Sequence, residues 1–405
     1  MNHRFFLFGR QLLIAVLLAV ASLPAQATDE AAPTPHIVVI GEVQGAANTV
    51  ADFLGHLGLI DAELHWTGGD TILIQTGDLM DDGENVRAAL DLFMRLQREA
   101  TAAGGRVIVL MGNHEALNIL GVFRDVNYMA YQSFAGPDSE DRQRQAWEDW
   151  LAWRTRRAEA LGGSFEADSE TEAEWFALHP PGWIEYAESM RPDGVYGGWL
   201  RTLPVAVKID EVLFIHAGIN PEMEDMDVAS VNSRAAQEVS SFDEYRDFMV
   251  TEGLSLPTSS VRELVNVLQE EASFLNNLKA SQRTTRNPRA ARYLEIEDLG
   301  QLGTWSILDQ QGPLWFRGAA RFPEAELGPQ MDAILEACDV ERMVTGQSNG
   351  KDHHIHARFD NRVFLTSIAM SDDPYAGGGD PAALEIDKGD YFVVTLSGRE
   401  LLIDN

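Results

Sequence analysis

Three β-branched runs constrain this chain more than any other feature, because each passes into a glycine-flanked polar loop and two of them then into apolar residues at helical spacing. His36 to Ile40 leads into Gly41-Glu42-Val43-Gln44-Gly45, and Thr71 to Gln75 leads into Gly77-Asp78-Leu79-Met80-Asp81-Asp82-Gly83. Arg106 to Met111 leads into Gly112-Asn113-His114-Glu115. Short, continuously apolar strands bounded by turn residues belong to a sheet covered on both faces. Helical spacing over Ala47 to Leu59 and Glu84 to Ala103 fills the intervals between them. Strand-loop-helix units in succession imply a largely parallel α/β sheet, with the polar loops collected at the carboxyl ends of the strands, where ligands bind. The loop tips at positions 42, 78 and 113 stand one such unit apart, so they converge on one sheet edge.

The remaining chain breaks this rhythm twice. Residues from about 128 to 191 and from about 225 to 303 read as helical insertions, the first carrying Trp147, Trp150 and Trp153 along one helical side as a packing stripe. Between them, Pro204 to Lys208 and Glu211 to His216 read as paired strands ending at His216-Ala217-Gly218. Later, Arg342 to Thr345, His354 to Phe359, Arg362 to Thr366 and Tyr391 to Leu396 are expected as antiparallel strands of a second sheet. Glu324 to Cys338 has helical spacing and ends in the chain's single cysteine, expected to be buried; no intramolecular disulfide is available. Residues 36–405 thus form one domain in this reading.

The first residues read as an export signal. Arg4 and Arg10 flank a basic start, Leu12 to Ala21 is apolar but too short to span a bilayer, and Ala25-Gln26-Ala27 is a small-x-small cleavage site. Removal of residues 1–27 would leave 28–35 as a polar lead-in and a periplasmic or secreted product. No later apolar run approaches spanning length, so stable membrane insertion is not expected after cleavage.

Charge excludes a further class. With 31 Lys plus Arg against 63 Asp plus Glu, the formal charge is −32, and no general basic surface exists to hold nucleic acid. An anionic ligand would have to be drawn in by local cations.

The loop residues could supply them indirectly. Oxygen and imidazole donors gathered at one sheet edge are able to bind two divalent ions, with Asp78 as the natural bridge. The ordered set Gly41-Glu42-x-Gln44-Gly45, Gly77-Asp78-x-x-Asp81-Asp82-Gly83, Gly112-Asn113-His114-Glu115, His216-Ala217-Gly218 and Gly346-Gln347 resembles the calcineurin-like metallophosphoesterases. Within that superfamily the chain is most similar to the Shewanella-like protein phosphatases, over essentially all of the mature chain. The resemblance implies a four-layer α/β sandwich of two mixed sheets flanked by helices. It implies that Asp78 bridges two metals, that Asn113 and His216 bind the second, that His114 with Asp81 protonates the leaving oxygen, and that Arg317 holds the phosphate. Phosphoproteins or small phosphate monoesters are the implied substrates.

The departures from that pattern fall on the site. Glu42 stands for a metal-binding Asp, Gln44 for a metal-binding His, Asp82 for a phosphate-clamping Arg, and Gln347 for a His of the second metal; Ser367-Ile368-Ala369-Met370 also differs from the usual run. Glu reaches one methylene further than Asp. Gln offers a neutral oxygen that serves manganese, magnesium or calcium better than zinc or iron. An Asp in place of Arg reverses two charge units beside the phosphate. The metal set expected here is therefore Glu42, Gln44, Asp78, Asn113, His216 and Gln347. His353, His354 and His356 follow Gln347 closely and are read as a polar strand edge, with a replacement imidazole as the alternative; His56, His65 and His179 are read as surface or packing residues. Two functions remain open: a metal-dependent phosphoesterase with a weakened site, or a catalytically inactive pseudo-phosphatase that binds a phosphorylated or protein partner.

Overall fold

In a computed structural model of the chain, residues 34–404 are described apart from 224–226, 279–287, 295, 348–353, 369 and 371–379. The export signal, most of the lead-in and His353 lie outside the described residues.

Among the described residues, eleven strands form two mixed sheets. The first contains β1 (Ile37–Ile40), β2 (Ile72–Gln75), β3 (Arg106–Val109), β9 (Ala382–Asp387), β10 (Asp390–Thr395) and β11 (Gly398–Ile403), in the order β11-β10-β9-β1-β2-β3. β1, β2 and β3 are parallel, with Ile37 opposite Ile72 and Ile72 opposite Arg106, as the strand-loop-helix rhythm predicts. The second sheet contains β4 (Ala206–Ile209), β5 (Val212–Ile215), β6 (Arg342–Thr345), β7 (His356–Arg358) and β8 (Val363–Leu365), in the order β4-β5-β6-β8-β7.

Period-two alternation along β1 explains the layers. Ile37 and Val39 face the second sheet, packing with Ile72, Ile74, Phe214, Val344 and Phe364. Val38 and Ile40 face the other way, onto Phe53 and Leu54 of helix Ala47–His56 and Leu90 and Phe93 of helix Val86–Ala103. On the far side of the second sheet, Leu213, Ile215 and Met343 pack on Leu327, Met331 and Ile334 of helix Glu324–Cys338. The order is helix, sheet, sheet, helix, which is the four-layer sandwich expected. Cys338 is buried in the last of these layers.

Two strand assignments change. The run from Tyr391 joins the first sheet, not the second, because Lys388 and Gly389 both have positive φ and form a two-residue turn that folds β10 directly back on β9. Tyr391 meets the second sheet through its side chain, the ring stacked on Phe364 at 4.5 Å. The second sheet is also not simply antiparallel, since β6 is parallel to both β5 and β8. Between β5 and β6 the chain passes through helix Glu324–Cys338, a crossover of the kind that makes neighbouring strands parallel.

The chain between β3 and β4 is helical, including Tyr128–Phe134, Ser139–Ala160, Ser169–Leu178 and Trp183–Ser189. Trp147 and Trp150 stack at 5.2 Å, and buried Trp153 donates its indole N–H to the Leu254 carbonyl, so the tryptophan stripe is packing. Helices Val228–Thr251 and Val261–Asn277 lie between β5 and β6. No helix among the described residues is long and apolar enough to cross a membrane.

Candidate active site

The loops after β1, β2, β3, β5 and β6 meet at one edge of the sandwich and are joined by main-chain hydrogen bonds. Val43 and Gln44 donate to the Asp78 carbonyl at 3.0 and 2.9 Å, Gly83 donates to the Gln44 carbonyl at 3.0 Å, and Gln347 donates to the His216 carbonyl at 2.6 Å. Gln44, Asp78, Asp81 and Asp82 all have positive φ, between 48° and 66°. Four non-glycine residues in that strained region are affordable only where the surrounding loops over-determine them.

Glycine is required where the loops touch. A Cβ on Gly112 would lie 2.2 Å from Asp78 Oδ1, and one on Gly77, whose φ is +95°, would lie 2.6 Å from the His216 ring. Helix Asn113–Ile119 begins just after this contact, and its third residue, Glu115, accepts hydrogen bonds from the Gly112, Asp78 and Leu79 N–H groups, each at 2.8 Å. Burial, with Asp78 as the second cause, pushes the Glu115 carboxyl up to about 7, although its three N–H donors favour the ionised form.

Six of the expected residues form one buried cluster. Asp78 sits at its centre, with His216 Nε2 at 3.4 Å from Oδ2 and His114 Nε2 at 4.0 Å from the same oxygen. The His216 Nδ1 lies 2.7 Å from the Thr76 carbonyl, an acceptor only, so Nδ1 carries the proton and Nε2 presents a lone pair. That lone pair faces Asn113 Oδ1 at 3.0 Å. Burial lowers the pKa of His216, consistent with a neutral ring. Glu42 accepts from Ser367 Oγ at 3.1 Å and from Gln44 Nε2 at 3.3 Å. Burial, then Asp78, pushes the Glu42 carboxyl up to about 8.

These donors suit a hard divalent cation. Asp78 Oδ2, His216 Nε2 and Asn113 Oδ1 are acceptors pointed at one another, and the buried Oε1 atoms of Gln44 and Gln347 accept no hydrogen bond from any described residue. Such groups are costly to bury without a partner and are the donors that a cation collects. Among the described residues no three His, Cys, Asp or Glu side chains converge as a ligand set. Amide oxygens of Gln44, Asn113 and Gln347 stand beside the carboxylates and His216.

A second group adjoins this cluster. His114 Nδ1 lies 2.8 Å from Asp81 Oδ2, and Asn118 Nδ2 donates to both Asp81 oxygens at 2.9 and 3.0 Å. Tyr186 OH donates to Asn118 Oδ1 at 2.7 Å. Burial opposes charge on His114, but Asp78 and Asp81 outweigh it and hold the imidazolium well above its ordinary range. Burial also raises Asp81, against the pull of His114 and Asn118. Asn118 and Tyr186 were not among the expected site residues. The signal for Asn118 was available, since it stands four residues after His114 on one helix face; Tyr186 comes from a separate helix and had none.

Arg317 belongs to the segment Gly312 to Gly318, anchored under the His216 loop by Ala217 and Gly218 N–H groups that donate to the Pro313 carbonyl at 3.3 Å. Its buried Nε donates to no described residue. Burial and Arg321 lower its pKa, while Glu42 and Asp78 act in the opposite direction, which places its charge in the field of the cluster. Asp82 is half-buried; its N–H donates to the Asp125 carbonyl and its carbonyl accepts from Asn127, so the loop holds it beside the cluster rather than within it. His354 lines a separate cavity of about 700 Å³ with Val393, Leu396 and Leu402. His179 stacks on Trp175 at 4.2 Å and His65 pairs with Glu99, both packing roles as expected.

Residues 35–244 match the family described as calcineurin-like phosphoesterase, whose members use divalent metals. The chain is 23% identical over 354 residues to Shewanella-like protein phosphatase 1 of Plasmodium berghei, spanning 87% of this chain and 71% of that protein. It is 26% identical over 213 residues to Shewanella-like protein phosphatase 2 of Arabidopsis thaliana, spanning 51% of this chain and 52% of that one. The fold is shared with a solved cold-active protein tyrosine phosphatase, at TM-score 0.56 and 19% identity over 92% of this chain and 80% of the other.

Proposed function

The chain belongs to the calcineurin-like phosphoesterase family, and from that premise we propose that it is an exported, metal-dependent phosphatase acting on phosphate monoesters of proteins or small molecules. The observation that carries this reading is the set of mutually facing acceptors on Asp78, Asn113 and His216, completed by Glu42, Gln44 and Gln347. These six side chains would hold the divalent metal, which would supply positive charge for the phosphoryl oxygens and acidity for the attacking water.

The protein's own residues supply the rest. His216 is held by the Thr76 carbonyl with its lone pair inward. His114 is fixed through Nδ1 by Asp81, leaving Nε2 on the Asp78 side to hand a proton to the departing oxygen. Asn118 and Tyr186 keep Asp81 turned toward His114. Arg317 offers guanidinium N–H groups to the phosphate, which matters in a chain of net charge −32. Manganese, magnesium or calcium suit a set with three amide oxygens, from Gln44, Asn113 and Gln347, better than zinc or iron do. Export rests on the Arg4 to Ala27 pattern and gives a periplasmic or secreted enzyme.

A scaffold function without turnover is the second reading, favoured by one contact: Gln347 Nε2 donates to Asn113 Oδ1, the oxygen a metal would need. One experiment separates the two. Metal-stripped protein resupplied with each ion in turn should hydrolyse an aryl phosphate above an Asp78→Ala control, with manganese, magnesium or calcium ahead of zinc and iron. Absence of turnover above that control with every ion discards the enzyme and leaves the scaffold.

A further inference from the structure

We propose that the two cation positions sharing Asp78 are unequal and fill in order, because the side-chain amide of Gln347 closes the second position until it rotates. This rests on the metal reading above and adds a role for one residue within it.

Gln347 Nε2 donates to Asn113 Oδ1 at 2.7 Å, and that oxygen is 3.0 Å from His216 Nε2. The donor engages the lone pair that a cation would use. The Oε1 of the same amide is buried and accepts nothing from any described residue, although the residue is only 4% exposed. A buried amide with its N–H satisfied and its oxygen orphaned is half-matched to its surroundings.

Rotation about the last side-chain torsion, a soft two-fold coordinate, exchanges the two ends. The N–H leaves Asn113, and Oε1 joins Asn113 Oδ1, His216 Nε2 and Asp78 Oδ2. Those four acceptors repel one another when alone and are collected by a cation. The rotated state is therefore favourable only when the second ion is present, and the observed state only when it is not.

The first position carries a looser version of the same contact, since Gln44 Oε1 is likewise buried without a donor among the described residues. It offers two carboxylates, Glu42 and Asp78, where the second offers only the shared Asp78. Its own amide contact, Gln44 Nε2 to Glu42 Oε2, is long at 3.3 Å. The longer, weaker amide contact directs the first ion there.

Titration of manganese into the metal-free, full processed chain by calorimetry should show two ions binding in two steps, the second at least about tenfold weaker, equivalent to about 1.4 kcal/mol. Electron paramagnetic resonance should show an isolated ion at one equivalent and a spin-coupled pair only in excess metal. Gln347→His, which removes the donor and supplies a lone pair, should tighten the second step at least about tenfold and leave the first unchanged. Gln347→Glu should move it the same way, and carries the test if the histidine variant does not fold. Equal steps in the wild type, a single ion at saturation, or a second step unmoved in both variants overturns the inference and leaves the metal reading standing. No binding by the wild type overturns both.

Discussion

His114 lies between two carboxylates at unequal distances, its Nδ1 2.8 Å from Asp81 and its Nε2 4.0 Å from Asp78. The short contact fixes the ring; the longer one leaves Nε2 room to meet a substrate oxygen.

That asymmetry predicts a leaving-group effect. His114→Ala should lower kcat by about 10²–10⁴ for an alkyl phosphate, whose departing oxygen needs a proton, and far less for a dinitrophenyl phosphate, whose does not. Equal losses on the two substrates would show that His114 does not protonate the leaving group.

The hydroxyl of Tyr186 is a second point of attack. Tyr186→Phe strips the donor from Asn118 Oδ1 in a buried setting, and the expected cost is about 1–3 kcal/mol of stability. Urea denaturation with an unchanged slope and a lower midpoint would bear this out; an unshifted midpoint would mean that the amide is satisfied in another way.

Gly112 has no space for a side chain. Gly112→Ala places a Cβ 2.2 Å from Asp78 Oδ1 and 2.5 Å from its backbone N, so metal affinity should fall at least about tenfold and stability by about 2 kcal/mol. Gly55→Ala is the control: it lies inside helix Ala47–His56 with nothing within 4 Å of the new Cβ, and should gain about 0.5–1 kcal/mol. Isothermal titration and denaturation of both variants decide the matter.

A pH dependence should arise away from the site. Glu271 accepts hydrogen bonds from Arg157 and Arg289; burial alone would raise its pKa, but these two arginines hold it below the usual carboxylate range. A depressed carboxylate stabilises the fold above its unfolded pKa, and that contribution disappears as pH falls through the folded value. Glu271→Gln should therefore cost about 3 kcal/mol near neutral pH, with the gap to wild type closing below about pH 4. Denaturation curves that stay equally separated from pH 7 to pH 3 would refute the assignment.

Local pattern made a good part of this molecule legible. The alternation at Ile37 to Ile40 and the loop spacing at Glu42, Asp78 and Asn113 follow from strand and helix periods, whereas the pairing of Asp81 with His114 came only from the family resemblance. The Tyr391 run was misplaced because membership of a sheet depends on which partner is reached, and here the positive-φ turn at Lys388 and Gly389 decided it. Glu115 could be read as a helix-start residue, yet its capture of N–H groups from two other loop positions could not.

By itself, the sequence determined the donor chemistry: which loops carry carboxylate, imidazole or amide. Only the tertiary structure decided how those donors are aimed. Nothing local to residue 347 indicates that its amide nitrogen meets Asn113, 234 positions away, or that Thr76 selects the proton position on His216, 140 positions away. The reason is physical: side-chain type is a property of one residue, whereas the direction of a buried hydrogen bond is set by every group sealed in beside it, once water no longer competes.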